Sequence, residues 1–340
     1  MTLEAPAPVP AAGPFPRTGD VPERVADLSP MADLDGTSVR GREKTTRVVA
    51  SNVTVTRRLN EIWQSRQLLR NFVRSEIKVK YKNSFLGMVW SLLSPAMAIG
   101  VYVVVFGIVL KNGIPNFVIL LFSGLLAWNL FQTGVQAATS VIVTNAGLVK
   151  KMSFPREILP LASVGSASVF FFFQACVMAL LLLGLHSAPA WGVIWLLPVA
   201  IVPLIAFTSA MAVFLAAVNV YLRDTQHLVE VLVGAAWFWG CPIVYSYQAK
   251  VAPYLSRHGL TWLYLLNPLT PIVLTFQRVI YAKQVADSTV KPFAPEHLLP
   301  AWGPMTYVYL DATVLGASLV LFYLAMLVFG RLAGNFAEEL

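Results

Sequence analysis

From Ile158 to Leu222 the chain runs 65 residues without one Asp, Glu, Lys or Arg. A helix needs about 20 predominantly apolar residues to cross a bilayer, so this run holds two crossings and the turn between them. Soluble domains carry about 25% charged residues; here the figure is 12%, with 57% hydrophobic residues and a mean hydropathy of +0.66. The sequence reads as an all-α polytopic membrane protein, and a soluble enzyme with an ordinary core is excluded.

Apolar length places six transmembrane helices near 87–110, 117–142, 158–185, 193–220, 228–247 and 309–330. Pro189 and Gly192 mark the short turn between the third and fourth. Between the fifth and sixth, residues 248–308 hold two shorter apolar pieces, around 260–266 and 269–282, broken by Asn267-Pro268. Each is too short or too polar to cross, which predicts an external re-entrant or surface helical hairpin. Ahead of the first span, Leu59, Ile62, Trp63, Leu69, Val73 and Ile77 fall on one stripe of a helix, with Arg66 and Arg70 projecting from it. Such a helix lies in the membrane surface with its arginines among lipid phosphates, or packs on a partner beneath the membrane. Residues 56–82 are thus an amphipathic interface helix and entrance segment, and 83–340 the transmembrane domain. Residues 1–55 read as a disordered cytoplasmic leader: seven of the 22 prolines fall in the first 30 residues, with no apolar period.

Basic residues give the orientation. Thirteen Lys and Arg fall on the side that holds the 57–82 segment, the 2–3 and 4–5 loops and the tail, against six on the other side. The positive-inside bias then makes both termini cytoplasmic and the 248–308 hairpin external. The net charge of +8 is a topology and lipid signal rather than a nucleic-acid footprint. Cys176 and Cys241 both sit in apolar segments and the four histidines have no ligand spacing, so no metal site or disulfide framework is read.

Absent motifs narrow the chemistry. No G-x-x-x-x-G-K-[ST] occurs, so the chain lacks that phosphate-cradling loop. No G-x-S-x-G, H-E-x-x-H or paired aspartate motif is present, and Glu157, Glu230 and Asp311 lie near predicted helix ends, where capping explains them. No residue is assigned to catalysis. The first four crossings keep no ionisable residue near the midplane to couple transport to an ion gradient. Aromatic residues are plentiful: Tyr102 and Phe106, Trp128, and Trp237 with Trp239 are candidate channel-lining groups, since aromatic faces stack on sugar rings. Ordinary helix packing and interfacial belts account for the same residues equally simply.

Local patterns then converge on one family. Glu76-Ile-Lys-Val-Lys-Tyr-Lys-Asn-Ser-Phe-Leu-Gly-Met-Val-Trp90 resembles the "D-[IL]-K-x-R-Y-x-x-S-x-L-G-x-x-W" stretch of ABC-2 type permeases that export polysaccharides, with Glu76 for the usual Asp and Lys80 for the usual Arg. Asn145 through Arg156 resembles their "N-x-x-L-[IV]-x-K-x-x-F-P" loop, Tyr221-Leu-Arg-Asp224 their "[YF]-x-R-D", and Leu266-Asn-Pro268 their "L-N-P". The similarity covers about 57–340.

The resemblance implies the ABC-2 (type V) exporter fold and a permease for lipid-linked glycans such as O-antigen, teichoic acid or mycobacterial galactan. It implies a homodimer working with two copies of a separate ABC ATPase, which would hold ATP and Mg, while this chain binds no cofactor. Asn145, Lys150, Lys151, Phe154, Pro155, Arg156, Arg223 and Asp224 would couple to that ATPase. Arg66, Arg70, Lys78, Lys80 and Lys82 stand where a polyprenyl diphosphate would enter from the inner leaflet, although attraction to anionic membrane lipid explains them as well. Asn267, Pro268 and Arg278 would belong to an external gate. The localisation implied is the bacterial cytoplasmic membrane. Two rival functions stay open: an ABC-2 exporter of drugs or other lipids, and a membrane enzyme acting on lipid-linked sugars.

Overall fold

The computed structural model describes residues 55–81, 93, 96–97, 100–109, 114–282 and 298–340. Every regular element in them is helical. The leader 1–55 lies outside these residues but for Val55, as do Lys82 and 11 of the 24 residues of the expected first span; the helical stretch at its end closes in the π-helical segment Val103–Val109.

Among the described residues four helices are long and apolar enough to cross a membrane: α3 (Phe117–Thr144), α5 (Ile158–Gly184), α6 (Leu196–Tyr221) and α11 (Pro304–Leu332). They match the expected second, third, fourth and sixth spans. α6 starts later than expected because Trp191–Val193 forms a separate 3-10 turn. α11 starts earlier, at Pro304, whose missing N–H costs nothing in a first helical turn. α3 is the central post: 78% of its apolar window is buried, against 28% for α5 and α11, and it packs on both α5 and α6.

The expected fifth span needs correcting. α7 (Thr225–Val231) continues through a π-helical segment, Leu232–Trp237, and the helix stops at Trp239 rather than 247. Gly240 and then Pro242, which has no N–H to extend the ladder, end it. Fifteen helical residues from Thr225 to Trp239 reach only about 22 Å at 1.5 Å per residue, short of the roughly 30 Å hydrocarbon layer.

The chain then runs through α8 (Ala252–Arg257), α9 (Thr261–Leu265) and α10 (Leu269–Ile280). All of α10 but Arg278 is buried, against α3 and α6. Protein therefore surrounds this short helix on most of its faces, which suits its polar side chains.

The amphipathic pattern before the spans forms two helices, α1 (Val55–Gln64) and α2 (Arg66–Tyr81), with a turn at Ser65. α2 does not lie free: it packs along α5. A Cβ on Gly165 would sit 2.8 Å from Val73 Cγ2, so the absence of a side chain there is what lets α2 approach. Ser163 and Ser166 on the same helix donate to the Glu76 carboxylate at 2.9 and 2.6 Å. Gly165→Leu is therefore expected to lift α2, at a cost of about 1–3 kcal/mol for overpacking. Faster tryptic cleavage after Arg70 and Arg74 in the purified variant would report it, and an unchanged digestion pattern would count against the docking.

Candidate functional site

The 2–3 connection begins where α3 ends. Asn145 Nδ2 donates to the Val141 carbonyl at 2.8 Å, and its own carbonyl accepts from Leu148 and Val149, which starts α4 (Ala146–Lys151). Lys150 and Lys151 stand exposed in the last turn of α4. The loop then turns back: the Pro155 carbonyl accepts from Ile158 N–H, and α5 begins.

Phe154 and Arg156 point into the protein. The Phe154 ring lies 5.8 Å from that of Phe72 on α2. Arg156 donates to the Ala333 carbonyl just past α11, and its guanidinium lies 5.8 Å from the centre of the Phe336 ring. Partial burial lowers the Arg156 pKa from its ordinary value, while the charge of Glu157 raises it. Phe336 opens α12 (Phe336–Glu339) and is fully buried against Phe329 and Tyr221.

Beside this loop sits an ion pair that no sequence motif marks. Arg58 of α1 donates to Glu157 Oε1 at 2.6 Å, with side-chain exposures of 15% and 5%. A second guanidinium nitrogen reaches the Gly330 carbonyl at 3.4 Å. A Cβ on Gly330 would lie 2.9 Å from Arg58 Cζ, so glycine there opens the place Arg58 fills. Together α1, the loop and the end of α11 enclose a cavity of about 530 Å³, lined by Arg58, Gln64, Ser153, Phe154, Arg156 and Gly334 among others.

The Tyr221–Asp224 motif meets the same end of the bundle. Tyr221 Oη donates to the Leu332 carbonyl at 2.8 Å. Arg223 and Asp224 are exposed, and the Asp224 carbonyl accepts from His227 and Leu228 at the start of α7. Asn219 Oδ1 accepts from Gln226 N–H at 3.1 Å and closes that turn.

Arg66, Arg70 and Lys78 are exposed on α1–α2, and Arg66 lies 5.9 Å from the Trp63 ring centre. Lys80 is drawn differently: its ammonium lies 4.3 Å from the Phe170 ring centre. Desolvation there lowers its pKa, and Glu76 raises it in part.

Farther along the bundle the aromatic residues part into two sets. Trp128 is 2% exposed, packed on Phe131 and Phe238, and donates to Gln132. It is sealed within the subunit, a packing role. Tyr102 and Phe106 pack side by side, on Phe238 and Phe117 respectively. Trp237 sits against Phe131 and Phe207, and its Nε1 donates to Asn267 Oδ1 at 2.9 Å. Trp237 and Asn267 border an apolar groove of about 660 Å³ with Met211, Leu215, Val233 and Leu266. Trp239 is exposed.

Asn267 is thus a hub. It also donates to Cys241 Sγ at 3.3 Å and accepts from Leu269 N–H at 3.2 Å, with Pro268 setting the start of α10. On α10, Thr275 donates to buried Asp311 of α11 at 2.9 Å. Asp311 Oδ1 and Arg278 Nε are buried without a hydrogen-bond partner among the described residues.

Sequence reasoning named Glu76 and Asp311 but not the serines and the threonine that they meet, and it missed the Arg58–Glu157 pair and the hook around Phe336. The small residues Ser163, Gly165 and Ser166 were the one available signal, since such clusters mark close helix approach in membranes.

Comparison with known proteins agrees with this architecture. Residues 67–281 match the family described as ABC-2 type transporter. An O-antigen export system permease protein RfbA of Myxococcus xanthus is 33% identical over 232 residues, 68% of this chain and 87% of the relative. Two proteins of the same name from Klebsiella pneumoniae are 26% and 25% identical, each over 62% of this chain and 78% and 79% of their own length. With an all-helical bundle matched over most of its described length, the chain belongs to the ABC-2 type transporter family.

Proposed function

We propose that this chain is the membrane-spanning permease subunit of an ATP-driven exporter for a polyprenyl-diphosphate-linked polysaccharide. The observation that carries this reading is that three relatives, each aligned along most of its own length, are O-antigen export permeases. The missing phosphate-cradling loop fits it, because ATP would then be hydrolysed by a separate ABC ATPase.

On this reading two copies of the chain pair, both termini face the cytoplasm, and six crossings are completed by the stretch near 87–110 and by the short helix Thr225–Trp239 together with the non-helical chain that follows it. α1–α2 would lie at the cytoplasmic interface, where Arg66, Arg70 and Lys78 meet lipid phosphate or the substrate diphosphate. The loop 145–157 would take up ATPase movement, supported by its links to both α2 and α11. The segment 247–282, with Asn267 as its hub, would form the external gate. Trp237, Trp239 and Tyr102 would meet the sugar chain, while Trp128 supports them from within.

Trp237→Ala is expected to slow export severalfold while ATP hydrolysis by the assembled complex stays unchanged. Pulse labelling of glycan reaching the cell surface measures the first quantity and phosphate release the second. Normal export in both Trp237→Ala and Tyr102→Ala would remove the channel-lining role. Depletion of the chain should make a lipid-linked glycan accumulate inside the cell; accumulation of a drug or a free phospholipid instead would favour the other branch of ABC-2 exporters.

A further inference from the structure

Two arginines from different parts of the chain grasp the same helix end. Arg58 of α1 reaches the Gly330 carbonyl and Arg156 of the 2–3 loop the Ala333 carbonyl. Gly330 lies in the last turn of α11, where carbonyls lack the N–H partners of the interior, whereas the Ala333 carbonyl in the following 3-10 turn also accepts from Phe336 N–H; cations are favoured at that end of the helix dipole. Each arginine is also fixed from a second direction, Arg58 by Glu157 at 2.6 Å and Arg156 by the face of Phe336. Tyr221 adds a third tie, to the Leu332 carbonyl.

Arg156 is therefore committed inward, whereas Lys150 and Lys151 beside it are exposed. We infer that Arg58 and Arg156 are positioning residues that fasten the coupling loop to the end of α11, so that the last span moves with the loop, while Lys150 and Lys151 are left to meet an acidic surface on the ATPase. This rests on the reading of the chain as an ATP-driven permease. It turns the loop from a simple docking knob into one corner of a rigid unit that includes α1, α2 and α11. Phe336 closes that unit: buried, edge-on to Phe329 and tilted against Tyr221, it keeps the hook under Arg156.

The test uses the chain co-expressed with its ATPase. In Arg156→Ala the ATPase should co-purify at the wild-type ratio and hydrolyse ATP, while export falls roughly tenfold, within the usual 5–150-fold range of coupling between sites. Arg156→Lys, which keeps a donor and the charge, should recover part of the export; a merely structural role predicts no such graded rescue at equal thermal stability. Lys150→Ala with Lys151→Ala should instead weaken ATPase retention. Loss of the ATPase from Arg156→Ala would make Arg156 a docking contact and overturn the inference, as would undiminished export.

A second arm needs no destabilising change. Ser153→Cys and Gly334→Cys face the same cavity and can be joined by a bismaleimide. A unit that moves together should export and hydrolyse ATP after cross-linking as before, and arrest by the cross-link would overturn the inference. If the wild-type chain retains no ATPase at all, it is the export reading that fails, before any variant is compared.

Discussion

A chain carrying Phe154→Ala and Arg156→Ala together is expected to reach the membrane and to lose export entirely. The two side chains are the loop's own links to α2 and to the end of α11: Phe154 to Phe72 on α2, Arg156 to Ala333 and Phe336 beyond α11. Removing one leaves the loop tied on its other side, and effects at a shared junction are not additive. Removing both breaks the loop's links to α2 and to the chain beyond α11 at once and leaves it held by the Arg58–Glu157 pair. The spans themselves stay packed, because α3, α5 and α6 meet through contacts that neither residue makes. Surface glycan labelling and membrane fractionation check the two halves of the expectation, and export at the wild-type rate would refute the role of the loop.

Arg58→Ala is expected to lower stability by about 3 kcal/mol, the low end of what breaking a buried pair costs. The loss arises chiefly from Glu157, which is 5% exposed and would lose its ion-pair partner. Replacing both by methionine should recover most of it, since an apolar pair of similar volume removes the stranded carboxyl group. The thermal midpoint of the detergent-purified protein measures both variants. A double variant no better than Arg58→Ala would mean that the loss comes from the Gly330 contact and from packing instead.

The parts of the fold that depend on local pattern were legible in the sequence. Four spans follow from apolar length alone, whereas the amphipathic stripe predicts one helix and the structure breaks it at Ser65 into α1 and α2. The end of the fifth helix was misplaced because an apolar run does not show where a ladder stops. Its composition continues through Ile243 and Val244, while Gly240, Pro242 and the π-helical segment before them stop the helix at Trp239. For the 269–282 piece the sequence leaves a re-entrant and a surface placement open; in α10 Thr270, Thr275 and Gln277 are all buried, with Thr275 bonded to Asp311 and Gln277 to the Pro242 carbonyl.

The candidate site was legible as a set of residues but not as an arrangement. Asn145–Arg156 stood out by motif, yet the partners of Phe154 and Arg156 lie 82 and 177 residues away in sequence. Arg58 and Glu157, separated by 99 residues, belong to no shared pattern. Such pairings are set by how the helix ends converge, which periodicity and spacing do not encode. Trp128 shows the opposite error: an aromatic residue that suits a sugar channel by type is enclosed by Phe131, Phe238 and Gln132.

The central claim is that the energy for transport comes from another protein. The most direct measurement is to purify the tagged chain in mild detergent and identify by mass spectrometry what accompanies it. The account predicts an ABC ATPase in a one-to-one ratio with the permease. A clean preparation without any ATPase, repeated after cross-linking in intact cells, would contradict it.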